Sequence, residues 1–396
     1  MRKRVLQWHR FCVATPSLWL PSETFVRRHI AEIAPERTAV LFGSEENAER
    51  LKMPHFRWTP PRPASRSRIL RFVIGRWNLW RRGATTPLAR RHHRAVVKFL
   101  KRNDVSRVLA EYGPTGSLLV EACRDANVQL SVHFHGWDAS YSLQSKFCRC
   151  EYRKMAEYAE HLITPSQFLA DRLAEIGLPR EKLHVVPCGV DTTVFSPSST
   201  RDPQLLLAVG RLVPKKAPHL TIEAFSRVAS KHPQARLEII GDGLLRPECE
   251  RRVRQYGLSD RVVLHGSQNH EFVRERLKQA SIFVQHSVTA NGNTEGLPVS
   301  ILEAMACGVP VVSTYHSGIP EAVLDKECGF LVPEGDVGGM AIAMDRLLAN
   351  PEQRDSFGKT ARQRAESLFS AKGQIRELRR LFALEPATKH RALSAA

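Results

Sequence analysis

The chain is short of acid. Its 396 residues carry 40 Asp or Glu against 59 Lys or Arg, a formal net charge of +19. Between Arg50 and Asn103 there is no carboxylate, yet the same stretch holds sixteen Lys or Arg and so nearly accounts for the excess. Such a face attracts anionic lipid, nucleic acid or an acidic substrate. No Asp-x-Asp pair occurs anywhere, which removes the usual paired carboxylates for a divalent ion. No run of 18 apolar residues exists, so no transmembrane helix is expected. Met1–Arg10 begins like a basic signal peptide, but His9, Arg10 and Pro16 interrupt the apolar stretch that should follow. The eight cysteines are scattered, and Cys148-Arg149-Cys150 lacks zinc-site spacing. Reduced thiols in a cytosolic enzyme are the expectation, with no chemistry assigned to Cys188 or Cys307. There is no fixed-period repeat and no low-complexity block. No helix-turn-helix, RNP or finger signature appears, so sequence-selective nucleic-acid binding is not expected.

What is present is a regular alternation of short β-rich runs and helical patterns, with 42% hydrophobic residues to fill the cores. One series of expected strands comprises Val5–Trp8, Thr38–Phe42, Arg107–Glu111, Leu130–His135, His161–Thr164 and Lys182–Pro187. A second comprises Gln204–Val209, Arg236–Ile240, Arg261–Leu264, Ile282–Gln285, Val309–Ser313 and Phe330–Val332. Alternation of this kind implies parallel sheets covered on both faces, and two series imply two doubly wound domains of an α/β protein. A polar, Pro-bearing segment, Pro197–Pro203, suits a linker between them. The expected divisions are 1–188, 189–368, a terminal helix within 369–386 and a tail over 387–396.

Four segments carry candidate chemistry. In Glu295-Gly296-Leu297-Pro298-Val299, continuing to Glu303, two carboxylates lie eight positions apart across a Gly-x-Pro turn that enters an apolar helix. Proline suits a helix's first turn, and the unpaired amides there favour an anion such as a diphosphate. One acid then lies in the loop beside the anion and the other about a turn inside the helix. In the second segment, strand Leu207–Val209 ends at Gly210 and is followed by Arg211 and Lys216. Ligands of open α/β sheets bind beyond the strands' carboxyl ends, so a guanidinium fork and an ammonium there suit a diphosphate leaving group. Lys215 is an additional cation without an assigned role. Third, Ile239-Ile240-Gly241-Asp242-Gly243 is a strand and glycine turn that admits close approach of a nucleotide, as Gly266-Ser267 also does. Fourth, in His133-Phe134-His135-Gly136-Trp137-Asp138, strand alternation sends His133 and His135 to one face. Near the N-terminus, Ser22 reads as the cap of helix Thr24–Ile33, with Glu23 and Thr24 placed to reach a second substrate from the same turn. Ser166 reads as a cap too.

Together these segments resemble the retaining, GT-B-fold glycosyltransferases of family 4, and most closely the bacterial exopolysaccharide type such as that of colanic acid. Ser313-Thr314-Tyr315-His316-Ser317-Gly318-Ile319-Pro320-Glu321, Gly329–Pro333 and Pro187–Asp191 with Phe195 follow the family pattern as well. The likeness is dense from about Thr164 to Leu348 and patchy before it. Departures are Ala217, where the family usually has Gly, and the absence of glycines from the first strand-to-helix turn, although Ser22-Glu23-Thr24-Phe25 is similar to the exopolysaccharide variant.

The resemblance implies two Rossmann-like domains facing a cleft, with the terminal helix crossing back to the first. It implies transfer of a hexose from a UDP- or GDP-linked sugar to a saccharide or polyprenyl-diphosphate-linked acceptor. Donor binding falls to Gly210, Arg211, Lys216, Gly241, Asp242, Gly296, Leu297, Pro298, Val299 and Glu303. His135, Arg211, Lys216 and Glu295 serve catalysis, with Glu295 placing the sugar and Glu303 holding the ribose. Ser22, Glu23, Thr24 and Asp138 are candidates on the acceptor side, Asp138 either touching the acceptor or buttressing His135. No cofactor beyond the co-substrate and no metal is expected, the cations and the helix start taking the metal's place. The segment Arg66–Arg82 sets Ile69, Val73, Trp77 and Trp80 at helical spacing among arginines. It reads equally as a helix lying on an anionic membrane or as a domain helix with a solvated face. A cytoplasmic protein, attached to the inner face of the plasma membrane in the first case, is expected. Two other readings fit parts of the pattern: a basic membrane- or nucleic-acid-binding protein on a degenerate transferase fold, and a GT-B epimerase or phosphorylase.

Overall fold

A computed structural model of the chain describes residues 9–18, 23–44, 48–58, 88 and 90–384. The expected strand Val5–Trp8, the candidate Ser22, the helical reading of Arg66–Arg82 and the tail 387–396 lie outside them. The described first strand is β1, Arg10–Thr15, whose Phe11, Cys12, Val13 and Ala14 are buried. It is followed by β2 (Thr38–Phe42), β3 (His55–Arg57), β4 (Val105–Glu111), β5 (Gln129–His133), β6 (His161–Thr164) and β7 (Leu183–Val185). These form a sheet of order β3-β2-β1-β4-β5-β6-β7, so β1 is interior and has to be apolar on both faces. The second sheet comprises β8 (Leu205–Val209), β9 (Arg236–Ile240), β10 (Val262–Gly266), β11 (Ile282–Val284), β12 (Val311–Thr314) and β13 (Gly329–Val332), in the order β10-β9-β8-β11-β12-β13. In both, the chain starts in the middle, winds to one edge and returns to wind to the other, as the doubly wound expectation requires.

The second sheet shows why its strands read as continuous apolar runs. Along β8, Leu206 and Ala208 point into one core with Phe225, Val228, Met340 and Met344. Leu205 and Leu207 point into another with Phe283, Ile301, Leu302 and Met305. Period-two alternation thus feeds two cores, one under the helices Pro218–Ala229 and Val337–Ala349 and the other under Val299–Ala306 and Pro351–Leu368. Each fully buried leucine contributes roughly 1.5–3 kcal/mol. Parallel pairing sets Val209 beside Ile240, which brings the turns that follow both strands, at Gly210 and Gly241, to the same end of the sheet.

By contact density the chain divides into two units, 1–133 with 157–161 and 372–396, and 134–156 with 162–371. Residue 188, the division read from sequence, lies in the interval between the last strand of the first sheet and the first of the second. The helix Ala371–Leu381 is followed by Phe382, which packs on Phe11 with ring centroids 5.0 Å apart, inside the first unit. Ser166 caps Gln167–Glu175 through its side chain, as its position in the sequence indicates. Helix Val299–Ala306 begins two residues before the apolar run from Ile301 suggests, and Pro298 is its cap rather than a first-turn residue. No helix among the described residues is long and apolar enough to cross a membrane.

Candidate functional site

Within the second unit the turns beyond β8 and β9 and the loop before Val299–Ala306 bring the predicted residues together. The Gly210 amide donates to the Ile240 carbonyl at 2.9 Å, and the Leu212 amide to the Asp242 carbonyl at 2.9 Å. Gly241 has φ +142°, and a Cβ built there would lie 2.0 Å from the Gly210 carbonyl oxygen. Only glycine fits a backbone so close to its neighbour. Asp242 is exposed, and its carboxylate accepts the Gly243 amide at 2.7 Å. It shapes the turn.

Lys216 lies along Gly210, where a Cβ would meet its Cδ at 2.8 Å. Its ammonium reaches Glu295 Oε1 at 3.4 Å and Gln285 Oε1 at 3.3 Å. Lys215, to which the sequence gives no role, turns to the same carboxylate. Its Nζ is 3.6 Å from Glu295 Oε2 and donates to the Thr294 carbonyl at 3.0 Å. Burial pushes the Glu295 carboxyl up, but Lys216 and Lys215 outweigh it and hold the group down at about 2. Burial pushes the Lys216 ammonium down, opposed by Glu295 and aided by Lys215 and Arg211. Glu295 Oε1 is buried at ion-pair distance from Lys216, without a hydrogen bond of good geometry. Arg211 is exposed and forms no ion pair among the described residues.

Two further residues have no role in the sequence reading. Gln285, immediately after β11, is buried. Beyond Lys216 it accepts from the Ser300 hydroxyl at 3.3 Å, and its amide donates to Ser287 at 2.8 Å. His316 is buried and joins the backbone of Glu295 to Glu334: the Glu295 amide donates to Nε2 at 3.0 Å, and Nδ1 is 2.6 Å from Glu334 Oε1. In the sequence both follow strands of the second sheet, and His316 lies within the Ser313–Glu321 segment that follows the family pattern.

Gly296 and Leu297 lead into Pro298 and Val299, where the first amides of the helix have no intrahelical partner. A Cβ on Gly296 would lie 2.0 Å from the His135 carbonyl oxygen, so the two loops touch by backbone and tolerate only glycine there. His135 is half-buried and belongs to the same unit. Asp138 is fully buried, and its Oδ1 accepts the amides of His135 at 2.9 Å and Gly136 at 3.1 Å. Its carboxylate thereby ties down the backbone of the histidine loop. Ser140 completes the fastening by donating to the Gly136 carbonyl at 2.6 Å and accepting the Thr294 amide at 3.1 Å. Glu303 is buried on its helix. The Cys307 thiol is also buried and is pushed up to about 12 by burial, in keeping with no chemical role.

In the first unit Glu23 precedes the helix Thr24–Glu32 and accepts the Tyr112 hydroxyl at 2.7 Å; its side chain makes no cap bond. Thr24 is the helix's first residue. Behind it, His29, Glu111 and His133 are wholly buried, with ligand atoms within 4.8 Å of one another, and among the described residues they are the one group with the composition of a metal site. His29 Nδ1 lies 2.6 Å from Glu111 Oε1 and His133 Nδ1 3.7 Å from Oε2, with the two imidazoles stacked. His29 thus holds the carboxylate by a hydrogen bond, whereas His133 approaches it only at ion-pair distance.

Comparison with known proteins agrees with this reading of the folds and motifs. Residues 191–364 match the family described as Glycosyl transferases group 1, and residues 47–194 the one described as Glycosyltransferase Family 4. The chain is 35% identical over 281 residues, 68% of each chain, to a putative colanic acid biosynthesis glycosyltransferase, WcaL, of Escherichia coli. It is 32% identical over 278 residues, again 68% of each, to the amylovoran biosynthesis glycosyltransferase AmsK of Erwinia amylovora. Among solved structures, Anabaena HepE in complex with UDP-glucose superimposes with a TM-score of 0.76 at 19% identity, covering 95% of this chain and all of that one.

Proposed function

This chain belongs to the GT-B glycosyltransferases of family 4, and from that premise we propose that it moves a hexose from a UDP- or GDP-linked sugar to a lipid-linked or growing saccharide acceptor in bacterial exopolysaccharide biosynthesis. The observation that carries the proposal is the convergence of Lys216 and Lys215 on buried Glu295 beside the crowded Gly210 and Gly241 turns, with Arg211 left exposed next to them. Arg211, Lys216 and the helix start at Val299 receive the diphosphate and stabilise its charge as the glycosidic bond to the sugar breaks. Glu295, held ionised, accepts a sugar hydroxyl and fixes the ring. Glu303 holds the ribose and His135 contacts the reacting sugar. Retention of configuration is part of the proposal, supported by the family resemblance of the motifs. The saccharide product is supported by the names of the WcaL and AmsK relatives. The donor base is left between uridine and guanosine, because HepE is described with UDP-glucose and a Mycolicibacterium smegmatis relative, 29% identical over 281 residues, as GDP-mannose-dependent.

A panel of nucleotide sugars scored by thermal shift tests this, since a ligand that binds only the folded form raises its stability. One base and sugar should stand out, and product mass should show transfer rather than epimerisation or phosphorolysis. A panel without any shift or turnover would sink the proposal. Turnover should survive a chelator, since the cations take the metal's place; loss rescued by Mn or Mg would overturn that part.

The cytoplasmic face of the plasma membrane is the proposed location, with the basic segment 50–103 as the attachment at about 1 kcal/mol per engaged Lys or Arg. Co-sedimentation with anionic but not neutral vesicles is the expected result, and equal behaviour with both would remove the electrostatic attachment.

A further inference from the structure

The peptide unit that carries Glu295 is gripped from both sides. Its amide donates to His316 Nε2 at 3.0 Å, and its carbonyl accepts the Ser317 hydroxyl at 2.5 Å. One residue on, the Gly296 carbonyl accepts the Gly318 amide at 3.2 Å. All three partners stand in the loop after β12. A backbone amide can only donate, so Nε2 must present its lone pair, and the ring proton must sit on Nδ1. There it meets Glu334 Oε1 at 2.6 Å. Glu334 is itself anchored after β13, its other oxygen accepting the Thr289 amide at 2.7 Å. The ring is 1% exposed, so water cannot replace a lost partner.

We propose that His316 is a positioning residue for the transfer: a neutral imidazole, locked by Glu334 as the Nδ1–H tautomer, that aims the Glu295 carboxylate through its backbone amide. The inference rests on the reading of Glu295 as the group that fixes the sugar. It assigns a function to a histidine that contacts Glu295 through the backbone amide alone. Its electrostatic surroundings are the Glu334 and Glu295 carboxylates and, through the latter, Lys215 and Lys216. An N–H at Nε2 would face the Glu295 N–H and remove that hydrogen bond. Because the nucleotide end is held by other residues, loss of the grip should reach the sugar's aim and spare the diphosphate. A misplacement of about 1 Å costs on the order of 100-fold in rate.

The test has two independent arms. In the intact protein with ¹⁵N-labelled histidine, His316 should show the Nδ1–H pattern near neutral pH. An Nε2–H tautomer or an imidazolium would overturn the proposal whether or not any sugar is transferred. In the second arm His316→Leu should lose about 100-fold in kcat on the nucleotide sugar the panel selects. Its Kd for UDP and GDP by calorimetry should stay within about twofold, because Arg211 and Lys216 remain. His316→Gln, whose amide oxygen can still accept from Glu295, should recover to within about tenfold of the parent. Equal loss of kcat and nucleotide affinity, or full turnover in His316→Leu, would refute a positioning role. A parent protein inactive on every sugar nucleotide would instead count against the proposed reaction, with the tautomer measurement still deciding the present inference.

Discussion

Arg211→Ala should lower kcat by about two to three powers of ten and leave the melting temperature where it was. The size follows from removing one preorganised cation from a developing diphosphate. The unchanged stability follows from exposure, since the guanidinium forms no ion pair among the described residues and such surface changes stay within about 0.5 kcal/mol. Lys216→Ala should match it in rate and differ in stability. That side chain covers Gly210 and neutralises buried Glu295, so its loss leaves a carboxylate short of charge in a dry site. Steady-state kinetics and thermal denaturation of both variants separate these effects. Near-parental turnover in both would contradict the assignment of the leaving-group site.

The larger stability effect belongs to the lysine pair. Replacing Lys215 and Lys216 together by Met should cost about 3–5 kcal/mol, the usual consequence of stranding a buried charge, or roughly 10 °C in melting temperature. Adding Glu295→Gln to that protein should restore most of it, because a neutral amide no longer needs the cations. The pH dependence gives a second sign. In the parent, Glu295 is held at about 2 against an ordinary 4.5, so its contribution is complete above 4.5 and lost as the pH falls from there towards 2. Without the lysines, burial, the largest of the influences on this group, is opposed only by His316, and the carboxyl should rise above its ordinary value. Relative to matched Glu295→Gln proteins, acidification should then destabilise the parent and stabilise the double-lysine variant. Parallel pH profiles would show that the pair does not govern Glu295.

Much of this was legible before any coordinates. The second sheet could be read because its strands are buried on both faces, and Leu205–Val209 or Arg236–Ile240 stand out as apolar runs between helical patterns. Arg211, Lys216 and Glu295 could be read because each follows a strand or precedes a helix in a pattern with chemical meaning. The interior strand Arg10–Thr15 was harder: its Cys12 and Ala14 carry little of the β-branched signal. Lys215 and Lys216 are adjacent in sequence, and adjacency alone does not say that both turn inward to one carboxylate. Gln285 and His316 were missed for a related reason. Each acts by meeting a residue from another loop, Lys216 in one case and the Glu295 amide in the other, and spacing along a chain does not encode which loop ends converge.

The fastening of residues 135–140 to Thr294 and Gly296 bears on how relatives of this enzyme can be recombined. Segment 134–156 groups with the second unit, and His135 sits carbonyl to backbone against Gly296. A chimera that exchanges everything before residue 189 would pair a foreign histidine loop with a native glycine seat, where no side chain can take up a misfit. Grafts that carry 134–156 along with the second half keep both sides of that backbone contact native.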